Sequence, residues 1–330
     1  MVLKPVAQKQ LAKIQPGQSI AVHVPATTAN LGPGFDVLGM ALSVFDTLVV
    51  HTLDTPGVKV EITGEGAEFL PKDATHLIAK TMLERWAEAG YEPCGLRIEA
   101  TNNIPHGRGM GSSAAAIVSA LAAANALLPQ EARVGLEEIF QAAARWEGHP
   151  DNVAPAVFGG LTLSWVGDDA SGADNSGTRF GTVQGVLHPE IVPVIAIPDF
   201  ELSTHAARGL LPTTVDHAVA AANGGRVGLL IHSLAHDPAN LLVATDDFLH
   251  QAFRAPAMPL SAALIEELRT QGFAAVVSGA GPTVLVLCHG QAAAQRVAAA
   301  IDAHAQKHTQ ASWRVLIPRV APSGVRVEVL

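Results

Sequence analysis

Apolar and polar residues alternate along this chain with two different periods, and the switches between them mark out its elements. A two-residue period predicts strands over residues 20–24, 42–52, 58–63 and 95–100, the last reading GLRIEA. A helical period predicts helices at about residues 75–89, 113–128 and 135–147. In the second of these, Ile117, Leu121, Ala124 and Leu128 fall on one face. A strand over 160–166 follows. The stretch 167–181, GDDASGADNSGTRFG, is small, polar and glycine-rich, which predicts a surface loop. An apolar strand over 191–198 opens the second half, where helices at about 216–234 and 261–270 precede strands over 274–277 and 283–288. The boundary between two domains falls near residue 187, giving units 1–187 and 188–330, and the first 18 residues predict a flexible extension. Periodicity by itself supports a mixed α and β chain.

Composition narrows the function classes. A length of 330 residues favours two domains over one. With 48% hydrophobic and 15% charged residues, the chain can bury a sizeable core and is not disordered. A net charge of −9 and a pI near 5.8 argue against nucleic acid as a partner. Cys94 and Cys288, the only cysteines, are too few for a disulfide framework or a structural zinc site and predict buried thiols in a reducing compartment. The longest apolar helix, residues 114–128, is shorter than the roughly 20 residues a membrane span needs and is interrupted by Ser119 and Asn125. Lys4, Lys9 and Lys13 stand among glutamines without the apolar run of a signal peptide. The expectation is a cytoplasmic protein with no membrane partner.

Candidate chemistry concentrates at residues 105–116, PHGRGMGSSAAA, between the predicted strand and the alanine-rich helix. Gly107, Gly109 and Gly111 remove three Cβ atoms from a short loop, so its backbone can take positive φ and press close to a ligand. Ser112 and Ser113 are natural N-cap residues. Glycine-rich loop, hydroxyl pair and helix N-terminus together gather free N–H groups and the positive end of a helix dipole around an anion, here a phosphate chain. The spacing is GxGxG, so it is neither a GxxxxGK[ST] phosphate loop nor a GxGxxG dinucleotide loop. The fourteen histidines are scattered and none is assigned a chemical role.

PHGRGMGSSAAA resembles the central phosphate-binding motif of the GHMP kinases, the family of galactokinase, homoserine kinase, mevalonate kinase and phosphomevalonate kinase. Two further motifs of that family stand in order: VPATTANLGPGFDVLGMAL at residues 24–42 and VSGAGPTV at 277–284. EGHPDN at 147–152 and ELSTHAARGLLP at 201–212 are most similar to the homoserine-kinase branch. The resemblance spans about residues 20–290. It implies an α+β, two-domain fold, with an N-terminal domain like domain 2 of ribosomal protein S5, a ferredoxin-like C-terminal domain, and the active site between them.

The activity implied is ATP-dependent phosphorylation of the side-chain hydroxyl of L-homoserine in threonine biosynthesis, with Mg²⁺ and in a homodimer. Pro105, His106, Gly107, Arg108, Gly109, Met110, Gly111, Ser112 and Ser113 would bind the nucleotide. Glu147 and Ser113 would hold Mg²⁺, which prefers oxygen ligands. Asp151 and Asn152 would aim the attacking hydroxyl, with orientation favoured over base catalysis. Asn30 and Asp36 suit an ammonium group. Arg208, with Thr204 beside it, would grip the substrate carboxylate in a bidentate fork. Arg254 ends a segment, HQAFRAP, whose Gln251, Ala252 and Phe253 depart from the family's HEPYR. Ser278, Gly279 and Gly281 would back the phosphate loop, Gly279 beside the substrate. The alternatives are a mevalonate-type small-alcohol kinase of the same family and a non-catalytic nucleotide-binding homologue.

Overall fold

A computed structural model of the chain describes residues 12–168 and 178–330. The first part runs β1 (Ala12–Lys13), β2 (Ser19–Asn30), β3 (Gly34–Leu53), β4 (Val58–Gly64), α1 (Leu77–Glu88), β5 (Tyr91–Glu92), β6 (Gly95–Asn102), α2 (Ser112–Ala126), α3 (Leu136–Glu147), α4 (Val153–Phe158), β7 (Leu161–Asp168) and β8 (Thr178–Gly185). Next come β9 (Ile191–Pro198), α5 (Thr204–Gly209), α6 (His217–Ala235), α7 (Leu241–Ala244), α8 (Gln251–Arg254) and α9 (Pro259–Thr270). The chain closes with β10 (Ala274–Val277), β11 (Val284–His289), α10 (Gln291–Lys307), β12 (Trp313–Leu316) and β13 (Arg326–Val329).

A seven-stranded sheet is built on the long antiparallel pairing of β2 with β3. At one end of β3, Thr47 to Leu53 pair with β6; at the other, Leu38 to Met40 pair with β7. α2 lies over this sheet between α1, α3 and α4. Sequence periodicity gave α2 one buried face. In the structure Ala114, Ala115 and every residue from Ile117 to Asn125 are buried, because neighbours approach it from all sides and its alanines are small enough to permit that. The Trp86 indole N–H of α1 donates to the Ala124 carbonyl of α2 at 2.9 Å.

The second sheet, in the order β10-β11-β9-β12, is wholly antiparallel. Its alternation is split between two cores. Val194 and Ala196 of β9 pack with Leu264, Leu268, Val297 and Ile301 of α9 and α10. Ile195 and Ile197 face the opposite way and join the large core that also contains the first sheet. One continuous apolar core therefore couples the sheets.

Several boundaries differ from the sequence reading. The chain is held from residue 12: Ala12 and Lys13 pair with β5 and Ile14 is buried, while residues 1–11 lie outside the described residues. The predicted loop at 167–181 is flanked by a hairpin, Leu161↔Gly185 to Asp168↔Thr178, and residues 169–177 lie outside the described residues. Its strands expose the apolar Trp165, Val166 and Val183 among polar residues and glycines, which disguises their period. β13 leaves the second sheet and pairs with β2, Arg326 opposite His23. α4, α7, α8, α10, β5, β12 and β13 were not anticipated. No helix among the described residues is long and apolar enough to cross a membrane.

Trp86 is fully buried against α2. Trp86→Ala should lower unfolding stability by about 3–5 kcal/mol through cavity formation, read from the urea midpoint at unchanged slope. A loss below about 1 kcal/mol would mean that α1 contributes little to holding α2.

Candidate active site

The phosphate loop is shaped by glycines in the left-handed region. Gly111, at φ 70°, occupies the N-cap position of α2, and the helix starts at Ser112. Ser112 and Ser113 are thus the first two helical residues rather than caps, and both line a cleft of about 170 Å³. Gly109, at φ 73°, packs against the turn after β10: a Cβ there would stand 2.2 Å from the Ser278 carbonyl oxygen. The Ser278 hydroxyl donates to the Gly109 carbonyl at 2.6 Å and bonds the Thr28 hydroxyl at 2.8 Å. The Gly279 N–H donates to the Ala29 carbonyl at 3.0 Å. Loop, β2 and the VSGAGPTV turn are stitched together at this seam.

The β2–β3 turn places Asn30 and Asp36 on the same cleft, with Asn30, Leu31 and Asp36 all at positive φ. Such backbone strain in non-glycine residues concentrates where geometry is over-determined. The Asn30 amide donates to the Gly279 carbonyl at 2.8 Å and accepts from the Asp36 N–H at 3.0 Å. Its amide group is therefore engaged within the protein, holding Asp36 in place. The Asp36 carboxylate receives both Nη atoms of Arg208, at 2.9 and 2.8 Å. Two groups expected to take opposite ends of a substrate thus face each other across the cleft mouth.

Arg254 of α8 is buried and donates to the Gly279 carbonyl at 3.2 Å. Its guanidinium lies 5.3 Å from the Phe35 ring centroid, and that of Arg208 lies 5.4 Å from the same ring. The aromatic face offsets part of the repulsion between the two cations. Burial, then the charge of Arg208, pull the Arg254 pKa below its usual value. Ser203 caps α5 by accepting from the Ala206 N–H at 3.1 Å, so Thr204 is its first residue and lines the cleft.

At the far wall, α3 ends in Glu147, whose Oε1 is buried without a partner. Asp151 is buried; its Oδ1 accepts from the Asn152 N–H at 2.9 Å and pairs with His149 Nδ1 at 3.0 Å. Burial pushes the His149 imidazole down, but the Asp151 hydrogen bond and charge, aided by Glu147 and Asp36, outweigh it and hold its pKa above the ordinary value. His149 and Phe35 are the residues that motif reading passed over, although both sit inside motifs it quoted.

Not every residue of the loop faces the cleft. The Met110 side chain is fully buried in the core, and Met110 contributes only its carbonyl, which accepts from the Thr27 N–H at 3.1 Å. Pro105 is buried too, outside the cleft lining. Arg108 lines the cleft but donates to the Asp199 carbonyl at 3.1 Å, which ties the loop to the end of β9. His106 turns into a neighbouring cavity of about 320 Å³, where burial lowers its pKa and its Nε2 has no partner. That cavity, walled by Leu48, Leu70, Ile78 and Ala116, shares Ser112 and Ser113 with the cleft. At its rim, burial raises the Asp46 carboxyl to about 6, despite N–H donors from Ile104 and Asn103.

Comparison with known proteins decides the family. Residues 75–160 match the model of the GHMP kinases N terminal domain, and residues 218–307 match the GHMP kinases C terminal model. The chain is 45% identical over 322 residues to the homoserine kinase of Leifsonia xyli, covering 94% of this chain and 96% of that one. The chain belongs to the GHMP kinase family. It is also 47% identical over 276 residues to the homoserine kinase of Streptomyces coelicolor, covering 83% of this chain and 86% of that one. The crystal structure of a homoserine kinase from Cytophaga hutchinsonii superposes with a TM-score of 0.80 at 27% identity, covering 98% of this chain and 100% of that one. The α+β architecture described above is accordingly the two-domain GHMP kinase fold.

The ion pair of His149 has a pH signature. Its folded pKa is raised, so the stabilisation is full below about pH 6.5, the unfolded value, and is lost as pH climbs through the higher folded value. His149→Gln should abolish that part of the pH dependence. Thermal midpoints of wild type and variant should converge as pH rises from about 6 to about 8. Parallel curves would show that the pair contributes no linkage.

Proposed function

We propose that this GHMP kinase transfers the γ-phosphoryl group of ATP to the side-chain hydroxyl of L-homoserine. The observation that carries the reading is the Asp36–Arg208 pair opposite the phosphate loop. An α-amino acid zwitterion bears the complementary charges: its ammonium suits Asp36, and its planar carboxylate suits the Arg208 fork. Binding would exchange one internal ion pair for two, with Arg254 and Thr204 beside the carboxylate. Mevalonate carries no ammonium and would leave Asp36 without a partner. The names of the relatives at 45% and 47% identity support the same substrate.

The triphosphate would lie across the glycine-rich loop at the N-terminus of α2, where free N–H groups and the dipole favour an anion. The neighbouring apolar cavity, sharing Ser112 and Ser113, suits the nucleoside. The unpartnered, buried Oε1 of Glu147 and the Ser113 hydroxyl fit a hard divalent cation such as Mg²⁺. That cation, when bound, neutralises charge on the phosphates. Asn152 and Asp151 then aim the acceptor hydroxyl at the γ-phosphoryl group. In a loose transition state most of the acceleration comes from this positioning and charge neutralisation. An intact Glu147 and Asp151 disfavour a non-catalytic homologue.

ADP release with MgATP and a panel of acceptors tests the reading; turnover of L-homoserine but not of mevalonate is expected, and the reverse would overturn it. Arg208→Lys should keep the charge and lose the fork, lowering kcat/KM for homoserine about 10- to 100-fold. ATP affinity should barely move, and 3-aminopropanol, which lacks the carboxylate, should distinguish little between the two proteins.

Glu147→Gln should stay folded and lose turnover that added Mg²⁺ does not restore. Calorimetry should show that Mg²⁺ no longer tightens ADP binding. Near-normal activity at saturating Mg²⁺ would remove Glu147 from the metal site.

A further inference from the structure

Thr27, on β2 behind the cleft, has no part in the reading above. Its side chain is fully buried, out of reach of either substrate. Its hydroxyl donates to Asn152 Oδ1 at 2.8 Å, across 125 positions of sequence. A carboxamide that accepts on its oxygen is held in one of its two flip states, with its N–H pair turned the other way. In keeping with this, Asn152 Nδ2 lies 3.4 Å from Asp151 Oδ1. Thr27 also abuts the phosphate loop. Its N–H donates to the Met110 carbonyl at 3.1 Å, and a Cβ at Gly111 would stand 1.9 Å from its hydroxyl oxygen. The space that glycine leaves open at 111 is filled by the hydroxyl that orients Asn152.

We propose that Thr27 is a positioning residue, which fixes the flip state of Asn152 so that Nδ2 faces the acceptor hydroxyl beside Asp151. This rests on the reading of Asn152 as the group that aims the acceptor. Valine has nearly the shape of threonine but no donor. In Thr27→Val the Asn152 oxygen loses its partner, both flip states are populated, and fewer molecules present N–H to the acceptor. Thr27→Ser keeps the donor.

Steady-state kinetics with L-homoserine and thermal midpoints of Thr27→Val, Thr27→Ser, Asn152→Ala and the Thr27→Val/Asn152→Ala double variant test this. Thr27→Val should lower kcat roughly three- to tenfold at unchanged KM for ATP, and Thr27→Ser should stay within about twofold of wild type. In the Asn152→Ala background Thr27→Val should change kcat no further, since the two act through one interaction. Thr27→Ala, which removes the same donor without bulk, replaces valine if that variant misfolds. Equal losses in Thr27→Val and Thr27→Ser, or additive losses in the double variant, would overturn the proposal in favour of plain core packing. Full-rate Thr27→Val beside an impaired Asn152→Ala overturns the proposal alone. Normal turnover by Asn152→Ala overturns the reading of Asn152 and the proposal with it.

Discussion

The cleft depends on one close approach, the backbone of Gly109 against the turn from Ser278 to Gly281. It is possible only because position 109 lacks a Cβ and sits at positive φ. Through it the first sheet delivers the α2 N-terminus, and the second sheet delivers the Gly279 carbonyl on which Asn30 and Arg254 both converge. Ser278 stitches the contact with two hydrogen bonds, and the Arg108 carbonyl accepts a further one from Thr283 at 3.3 Å. If this seam opened, the phosphate loop and the arginines would belong to separate surfaces.

Electrostatics at the site is local rather than global. The chain carries a net charge of −9, yet Arg208, Arg254 and His149 line the same cleft. Each has its own partner: Asp36 for Arg208, Asp151 for His149, and the Phe35 ring with the Gly279 carbonyl for Arg254. Glu147 is the exception. A buried carboxylate oxygen without a donor is costly unless something else meets it, and that cost is what recommends a cation there. Tightly paired charges that a zwitterion can exchange, and one oxygen left open, are the features a site for two charged substrates requires.

Much of the fold could be read from residue spacing, and the failures have identifiable causes. α10 buries Ala294, Val297, Ile301 and His304, a helical stripe that the sequence displays and that was passed over because alanines blur its contrast. β12 and β13 have four residues each, too few for a period to stand out. β8 pairs with β7 at the edge of the sheet, where Trp165 and Val166 are exposed and polarity does not alternate cleanly. Within the site, Ser112 and Ser113 read as caps because their chemistry allows it. The left-handed Gly111 takes the cap instead and frees both for the cleft.

The sequence by itself determined the loop, its three glycines, the helix behind it and the inventory of groups around it, since each of these is written in adjacent residues. It also carried the family, through motifs in a fixed order. Only the tertiary structure decided which groups meet. Asp36 and Arg208 stand 172 positions apart, Thr27 and Asn152 stand 125 apart, and Asn30 reaches Gly279 across 249. Local propensity carries no information about such pairs. They exist because two sheets share one core and lock at a backbone contact that only glycine permits.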